Sequence, residues 1–467
     1  MQFIRHVGAR AHSALGPLAT GSVLLALLVP ALLAAQATTS RPDSLVTRTA
    51  AYVGTLRLAA VFEELRTASP RLKAAGSLAR AARFRISAAG LPPDPQVQFG
   101  WMNYELPSLK PMDVLGMKQL QVMQMLPLGG KLGLSKSIAR DRAVAQSERA
   151  NDAWWELRAQ AAMPFYEMYR ADQSVAVMRE TLRLLGDIRE VTEVMYRVGS
   201  GNQADVLRAQ IEIARMTEDT IRMQAMRNGM AARLNAILDR PQDSPLASPA
   251  IPGFPKAIPS LDSLQHLAYV SRPMLKAGAS DLSAAKSMER LSRKELFPDL
   301  QVGVQFGQQG TRAPGTEMPS GGTQRMGSLM IGASIPIFAR GRQLKLREES
   351  AAMSQMASSE LAAMWADTRG ALGERSADVI RARRLADLYR NTIIPQSRVA
   401  VSSAFAAYRV GKVNFMTLLD AQMTVNKYSQ DLIALESEEG RAWADLEMLT
   451  GAVLVDLGPA ALAGGAK

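Results

Sequence analysis

One half of this amino-acid sequence repeats the other. Tyr196-Arg-Val-Gly-Ser-Gly-Asn-Gln-Ala-Asp-Val-Leu-Arg-Ala-Gln210 returns as Tyr408-Arg-Val-Gly-Lys-Val-Asn-Phe-Met-Thr-Leu-Leu-Asp-Ala-Gln422. Pro70-Arg-Leu-Lys-Ala74 returns as Pro273-Met-Leu-Lys-Ala277, Pro93-Asp-Pro-Gln-Val97 as Pro298-Asp-Leu-Gln-Val302, and Leu126-Pro-Leu128 as Ile335-Pro-Ile337. Matches in the same order make chance a poor explanation, and the period is far longer than that of a solenoid. The chain is therefore two half-chains, and whatever one half folds into must suit the other.

Most of each half reads as helix. Ala, Leu, Arg, Glu, Gln and Met dominate, all good helix formers. Between about 137 and 197 the only glycine is Gly186 and the only proline Pro164. Val177, Leu184, Ile188, Val191, Met195 and Val198 recur at coiled-coil spacing. A helix of roughly 60 residues would be about 90 Å long, more than an ordinary globular core requires. Pro164 should kink it, because proline removes one helix hydrogen bond and clashes with the preceding turn. After a Gly199–Gly201 turn the apolar pattern resumes with Leu207, Ile211, Ala214, Ile221 and Ala225. The second half turns at Gly411 and resumes with Leu418, Val425, Leu432, Leu435, Leu446 and Leu449 before Gly451. Each half thus predicts a long antiparallel helical hairpin with a Val-Gly tip.

Four segments change period. Val97, Phe99 and Trp101 alternate with Gln96, Gln98 and Gly100, and Leu120 and Val122 with Gln119 and Gln121. Leu300, Val302, Val304 and Phe306 alternate with Gln301, Gly303, Gln305 and Gly307; Leu329, Ile331, Ala333 and Ile335 alternate with Ser328, Met330, Gly332 and Ser334. Period two means strands with one apolar and one polar face. A polar face of Gln and Gly suits a strand between lipid and a watery lumen; a soluble two-sheet sandwich is the alternative. Pro/Gly-rich loops, 105–115 and 310–325, join each pair. Four such strands cannot close a barrel, and open edges in lipid leave backbone groups unpaired at several kcal/mol each. Strands that span a bilayer here require several copies to share one barrel.

Composition narrows the chemistry. The chain has no cysteine, hence no disulfide, thiolate metal site or lipidated amino terminus. Arg5 and Arg10, the apolar Leu18–Leu33 run and Ala35-Gln-Ala37 read as a secretory signal. His6 and His12 fall inside it, leaving His266 as a packed or surface residue. Ser–His–Asp catalysis and a histidine zinc site are nearly unavailable, no metal or cofactor site is expected, and no convergent set of groups suggests an enzyme. The net charge of +12 is spread among acids along helices, as at Arg179-Glu180, without the concentrated basic patch a nucleic acid would need. Met102, Met112, Met117, Met123 and Met125 crowd the first strand pair. Soft thioethers bind Cu(I), although filling irregular packing is the commoner use of methionine.

The duplicated Tyr-Arg-Val-Gly turn followed by Leu-x-Ala-Gln, the Leu91-Pro-Pro-Asp-Pro95 entry to the first strand and the Pro-Leu-Gly-Gly-Lys131 exit from the second resemble the TolC-like outer-membrane efflux proteins, over about residues 58 to 452. The resemblance implies a mainly α channel-tunnel with membrane β: long antiparallel helical hairpins plus four strands per chain in a shared 12-stranded barrel, the whole a homotrimer. It implies a barrel in outer-membrane lipid and a helical barrel in the periplasm. It further implies a periplasmic adaptor (membrane fusion) protein and an inner-membrane resistance-nodulation-division pump as partners. The cargo class it points to is heavy-metal cations. A coiled-coil adaptor or scaffold, or the outer-membrane component of a type I secretion or drug-efflux system, are the alternatives. The expected organisation is a signal peptide over 1–37 and a first repeat over 38–250, with a β-hairpin about 95–127 and a helical hairpin about 137–238. A second repeat covers 251–467, with a β-hairpin about 299–337, a helical hairpin about 341–450 and a short tail.

Two sets of site residues follow. Val198, Gly199 and Ser200, with Val410, Gly411 and Lys412, form the hairpin tips. Glycine there caps a helix, and the resemblance adds adaptor contact. Asp205, Tyr408 and Asp420 match the family's periplasmic aperture, where rings of acid narrow the entrance. Thr417 stands where a further acid is common and Val413 where an arginine is, so a closed state would be wired differently. A ring of carboxylates in a narrow pore favours cations.

Overall fold

The computed structural model describes residues 54–105, 107–108, 110–111, 117–309 and 324–457. The expected signal segment, Met112, most of both strand-joining loops and the tail beyond 457 lie outside these residues.

Strand β1 (Leu56–Arg57) runs into helices α1 (Leu58–Ala68) and α2 (Pro70–Ala89). Strand β2 (Gln96–Met102), a short ribbon of β3 (Tyr104–Glu105) and β4 (Lys110–Pro111), and strand β5 (Met117–Leu126) follow. Then come helices α3 (Lys131–Arg197) and α4 (Gln203–Ile237), and strand β6 (Pro249–Ala250). The second half supplies helices α5 (Leu261–Ser271) and α6 (Pro273–Lys294), and strands β7 (Asp299–Gln309) and β8 (Gln324–Ser334). It closes with helix α7 (Gln343–Leu388), a π-helical turn (Tyr389–Ile393), and helices α8 (Ile394–Arg409) and α9 (Phe415–Thr450).

The halves correspond element by element. α1 and α5 are each 11 residues, and α2 and α6 both begin with proline at the first helical position, where its missing N–H costs nothing. The interval from Lys131 to Gln343 equals that from Tyr196 to Tyr408, so α3 and the α7–π–α8 rod have equal length. At 67 residues α3 is about 100 Å long. Pro164 lies buried within it, and the helix runs through without a break. In the second rod, Pro395 follows the π turn, where the ladder widens just ahead of a residue that cannot donate to it.

Helix α3 is the backbone of the molecule, packing against α2, α4, α6 and α9, while α7 bridges α6 and α9. Two clusters occupy matching places. Val61, Leu65, Phe165, Tyr166 and Leu234 join α1, α3 and α4. Leu264, Ala268, Leu372, Trp443 and Leu446 do the same for α5, α7 and α9. Each large side chain buried here stabilises by about 1.5–3 kcal/mol. A parallel pairing of β1 with β6, Leu56 opposite Pro249, closes the first cluster; nothing in the hydrophobic periodicity indicated it.

The helix seam differs from the expected one by a rotation. Over 177–198 the buried residues of α3 are Met178, Thr181, Leu185, Ile188 and Thr192, at spacings of three and four, with the expected Val191 and Met195 packed partly buried beside them. Val198, expected on the seam, is 71% exposed. Threonines hold two core positions because their hydroxyls donate to carbonyls one turn back, Thr181 to Val177 and Thr192 to Ile188. An apolar-only pattern cannot register them. Leu207, Ile211 and Ile221 of α4, expected to pack within the hairpin, are also exposed in the single chain.

Candidate functional site

The four long strands form one antiparallel sheet in the order β2-β5-β7-β8. Val97 pairs with Val122, Val122 with Val304 and Val304 with Leu329. Phe99, Leu120 and Phe306 form the next apolar row. The other face carries Gln98, Gln121, Gln305 and Ser328 in one row, stitched diagonally by Gln305 Nε2 donating to Gln119 Oε1 at 2.6 Å. Residues of this face are the more crowded: Gly303 and Gly307 are buried whereas Val304 and Phe306 are exposed. The polar face is therefore the concave one.

The row beside the connecting loops pairs Trp101 with Lys118, Lys118 with Gln308 and Gln308 with Arg325, all on the apolar side. At the other end Phe297 and Phe338 are exposed. Aromatic and cationic residues bracketing an apolar band is the pattern of a bilayer-spanning wall. Asn103, at φ 56°, ends β2 and redirects the chain into the β3–β4 ribbon. No described helix is long and apolar enough to cross a membrane.

The sheet is anchored to the helices by a residue whose role the sequence did not disclose. Gly129 and Gly130, at φ 74° and 78°, turn the chain from β5 into α3. Lys131 follows, 5% exposed, its ammonium 2.7 Å from Asp299 Oδ1 and 3.0 Å from the Phe297 carbonyl. The first half's strand exit thus holds the second half's strand entry.

Both tips end their helices identically. Ser200 N–H donates to Met195 O and Gly199 N–H to Tyr196 O; Lys412 N–H donates to Ala407 O and Gly411 N–H to Tyr408 O. Gly199 (φ 75°) and Gly411 (φ 70°) supply the left-handed residue this cap requires. Val198 and Val410 stand exposed beside them. Beyond the second tip, Asn414 Oδ1 accepts from Thr417 N at 2.9 Å and from its hydroxyl at 2.8 Å. Thr417 is thereby part of a helix cap.

Asp205 lies half-buried in the first turn of α4, and Asp420 is exposed on α9. Among the described residues neither forms an ion pair. Tyr408 is buried, its ring 6.1 Å from that of Phe415 and its hydroxyl 3.4 Å from Thr192 Oγ1. Above it Thr181 Oγ1 donates to Asn426 Oδ1 at 3.2 Å, and Gln422 is buried nearby on the same face of α9. Polar pairs inside an apolar seam fix the register of packed helices. His266 is exposed.

The comparisons with known proteins agree with this geometry. Residues 264–452 match the model of the outer membrane efflux protein family. The chain is 23% identical over 378 residues to the cobalt-zinc-cadmium resistance protein CzcC of Cupriavidus metallidurans, spanning 76% of this chain and 83% of that one. It superposes on a membrane protein from Pseudomonas aeruginosa with a TM-score of 0.72 at 19% identity, covering 84% and 92% of the two chains. The outer membrane protein VceC of Vibrio cholerae gives 0.68 at 17% identity, over 85% and 96%. The fold is the TolC-like one, mainly helical with few strands per chain.

Proposed function

Because residues 264–452 match the outer membrane efflux protein family and most of the chain is similar to CzcC, we propose that it is a passive conduit of that family and that three copies assemble into one exit duct. In each copy β2 and β8 are open edges, and three sheets of four strands would close a twelve-stranded barrel with the apolar rows toward lipid. The observation that carries this reading is the equivalence of junctions. β5 pairs with β7 where the two repeats meet inside one chain, and the repeat-related junction, β8 with β2, needs another copy. Exposed Leu207, Ile211 and Ile221 on α4 supply an apolar stripe for that neighbour. The division into repeats at about 250 is part of the same reading.

The helices continue the duct into the periplasm, with the tips farthest from the membrane. Val198, Gly199 and Ser200, together with Val410, Gly411 and Lys412, then meet a periplasmic adaptor, glycine allowing close approach of its helices. An inner-membrane pump of the resistance-nodulation-division type delivers cargo, and the similarity to CzcC favours heavy-metal cations. Asp205 and Asp420, free of ion pairs among the described residues, are available to ring the mouth. Tyr408 braces the hairpin behind them through Thr192. The mouth opens by shear of packed helices, and the Thr181–Asn426 contact is the one that must slide.

Purified protein should run as a heat-sensitive trimer and conduct in planar bilayers. A monomeric, non-conducting product would remove the duct. Asp205→Ala with Asp420→Ala should lower cation preference and relieve block by divalent ions. Unchanged selectivity would cancel the aperture assignment while leaving the duct intact.

A further inference from the structure

Methionine is distributed unevenly over the sheet. Met102, Met117, Met123, Met125, Met326 and Met330 all lie on the concave face, and the described apolar face has none. Methionine used as a general apolar filler would occupy both faces, and would favour the face that needs apolar atoms. Here Val, Leu, Ile and Phe take that face instead. The concave face has no core to fill, and what the methionines cover there is the backbone notch left by glycine.

The methionines are grouped by glycine. Gly303 of β7 pairs with Met123 on one side and Met330 on the other. A Cβ placed on Gly303 would stand 3.1 Å from Met123 Cγ and 3.5 Å from Met330 Cε, so both side chains lean over the same notch. Four residues along, Gly307 pairs with Met326 while Met117 covers it diagonally, its sulfur 2.5 Å from where a Cβ would be. Gln121 Nε2 donates to Met123 Sδ at 2.7 Å, so an ion bound here shares that sulfur with the amide. Beyond thioethers the face offers amide and hydroxyl groups; its one described carboxylate, Asp299, sits at the end of β7 and is engaged by Lys131. Among the described residues no cluster of His, Cys, Asp or Glu could hold a metal. Neutral sulfur donors without imidazole or carboxylate suit soft monovalent ions and discriminate against Zn(II), Co(II) and Mg(II).

We propose that this face is a thioether ladder for a soft monovalent cation, Ag(I) or Cu(I). One step is Met123 with Met330 across Gly303, and the next is Met117 with Met326 across Gly307. The ladder rests on the reading of the sheet as a barrel wall, since only then does the concave face line the duct. Two thioethers per step hold the ion loosely, and a conduit requires sites weak and multiple enough to release what they bind.

The test uses the full-length protein purified in detergent and titrated with silver nitrate in chloride-free buffer by calorimetry, with assembly checked on the same sample by heat-sensitive gel migration. The wild type should take up Ag(I), and the fourfold variant M117L/M123L/M326L/M330L should bind at least tenfold more weakly or lose those sites. The helix variant M353L/M356L should bind as the wild type does, and Zn(II) should not compete. Equal Ag(I) uptake by the wild type and the fourfold variant, or competition by Zn(II), would overturn the ladder. A trimer that takes up no silver discards the ladder and keeps the duct, whereas absence of a trimer discards the duct itself.

Discussion

Removing the carboxylate of Glu447 should damage this protein more than removing both partners of its ion pair. Glu447 and Arg158 meet at 2.6 Å with side chains 5% and 7% exposed, joining α9 of the second half to α3 of the first. The guanidinium lies 4.2 Å from the Phe62 ring centre and 5.0 Å from that of Trp155, and its Nε has no acceptor among the described residues. The other carboxylate oxygen accepts Leu454 N–H at 2.9 Å and Val455 N–H at 3.0 Å, fastening the segment after α9. Glu447→Leu strands a buried cation, at about 3–5 kcal/mol, and frees two backbone donors at about 1–3 kcal/mol each where they cannot reach water. The segment after α9 can shift to hydrate those two donors, which leaves the charge term and a net loss of about 4 kcal/mol, roughly a thousandfold in the folding equilibrium. Arg158→Met with Glu447→Leu removes the charge as well as its partner and keeps the volume, and should cost less than the single change. Unfolding in detergent is read as a rate, followed by the helical circular dichroism signal in guanidinium. If the double variant unfolds as fast as Glu447→Leu, the loss is one of packing and the electrostatic argument fails. If Glu447→Leu unfolds like the wild type, the pair is not buried in the assembled protein.

Further outcomes follow from other contacts. A Cβ at Gly440 would overlap the ring of Tyr166, itself 1% exposed; Gly440→Ala should cost about 1–3 kcal/mol or more, and adding Tyr166→Leu should recover part of it in the same unfolding assay. Lys131→Met should loosen the strand entry at Asp299 and raise protease sensitivity near Phe297, whereas the exposed Lys345→Met should not. Burial raises the carboxyls of Asp152 and Asp445 above their ordinary value of 3.8, opposed by Arg272 for the first and by Arg375 and Arg441 for the second. The folded chain therefore binds these protons more tightly than the unfolded one. Their favourable contribution is complete below the ordinary value and is lost as pH rises through the raised one. Asp445→Asn should flatten the fall in stability as pH rises above the ordinary carboxylate value of 3.8, and an unchanged slope would contradict the burial argument.

Much of this architecture was legible before any coordinates. Period two at Val97, Phe99 and Trp101 and again at Leu300 to Phe306 placed the strands, because alternation is imposed by backbone geometry alone. The Val-Gly tips were legible because a helix ending in a left-handed residue selects glycine. The need for more than one copy followed from four strands that could not close, an argument from unsatisfied backbone that requires no side-chain detail.

Other features depend on which surfaces meet. Thr181 and Thr192 belong to the seam of α3 only because their hydroxyls find carbonyls one turn back, and Val198 leaves it because the rod ends there. Lys131 and Asp299, like Arg158 and Glu447, are far apart in the chain, and periodicity carries no information about such partners. The methionines were visible as a crowd near the first strand pair, but their gathering on one face, and the glycine notches of β7 that group them, came from strand register. Local sequence thus determined the elements and their punctuation, since φ, ψ preference and side-chain period act over a few residues. Tertiary structure decided partnership, since burial and pairing are properties of two surfaces, and each segment of the chain specifies only one.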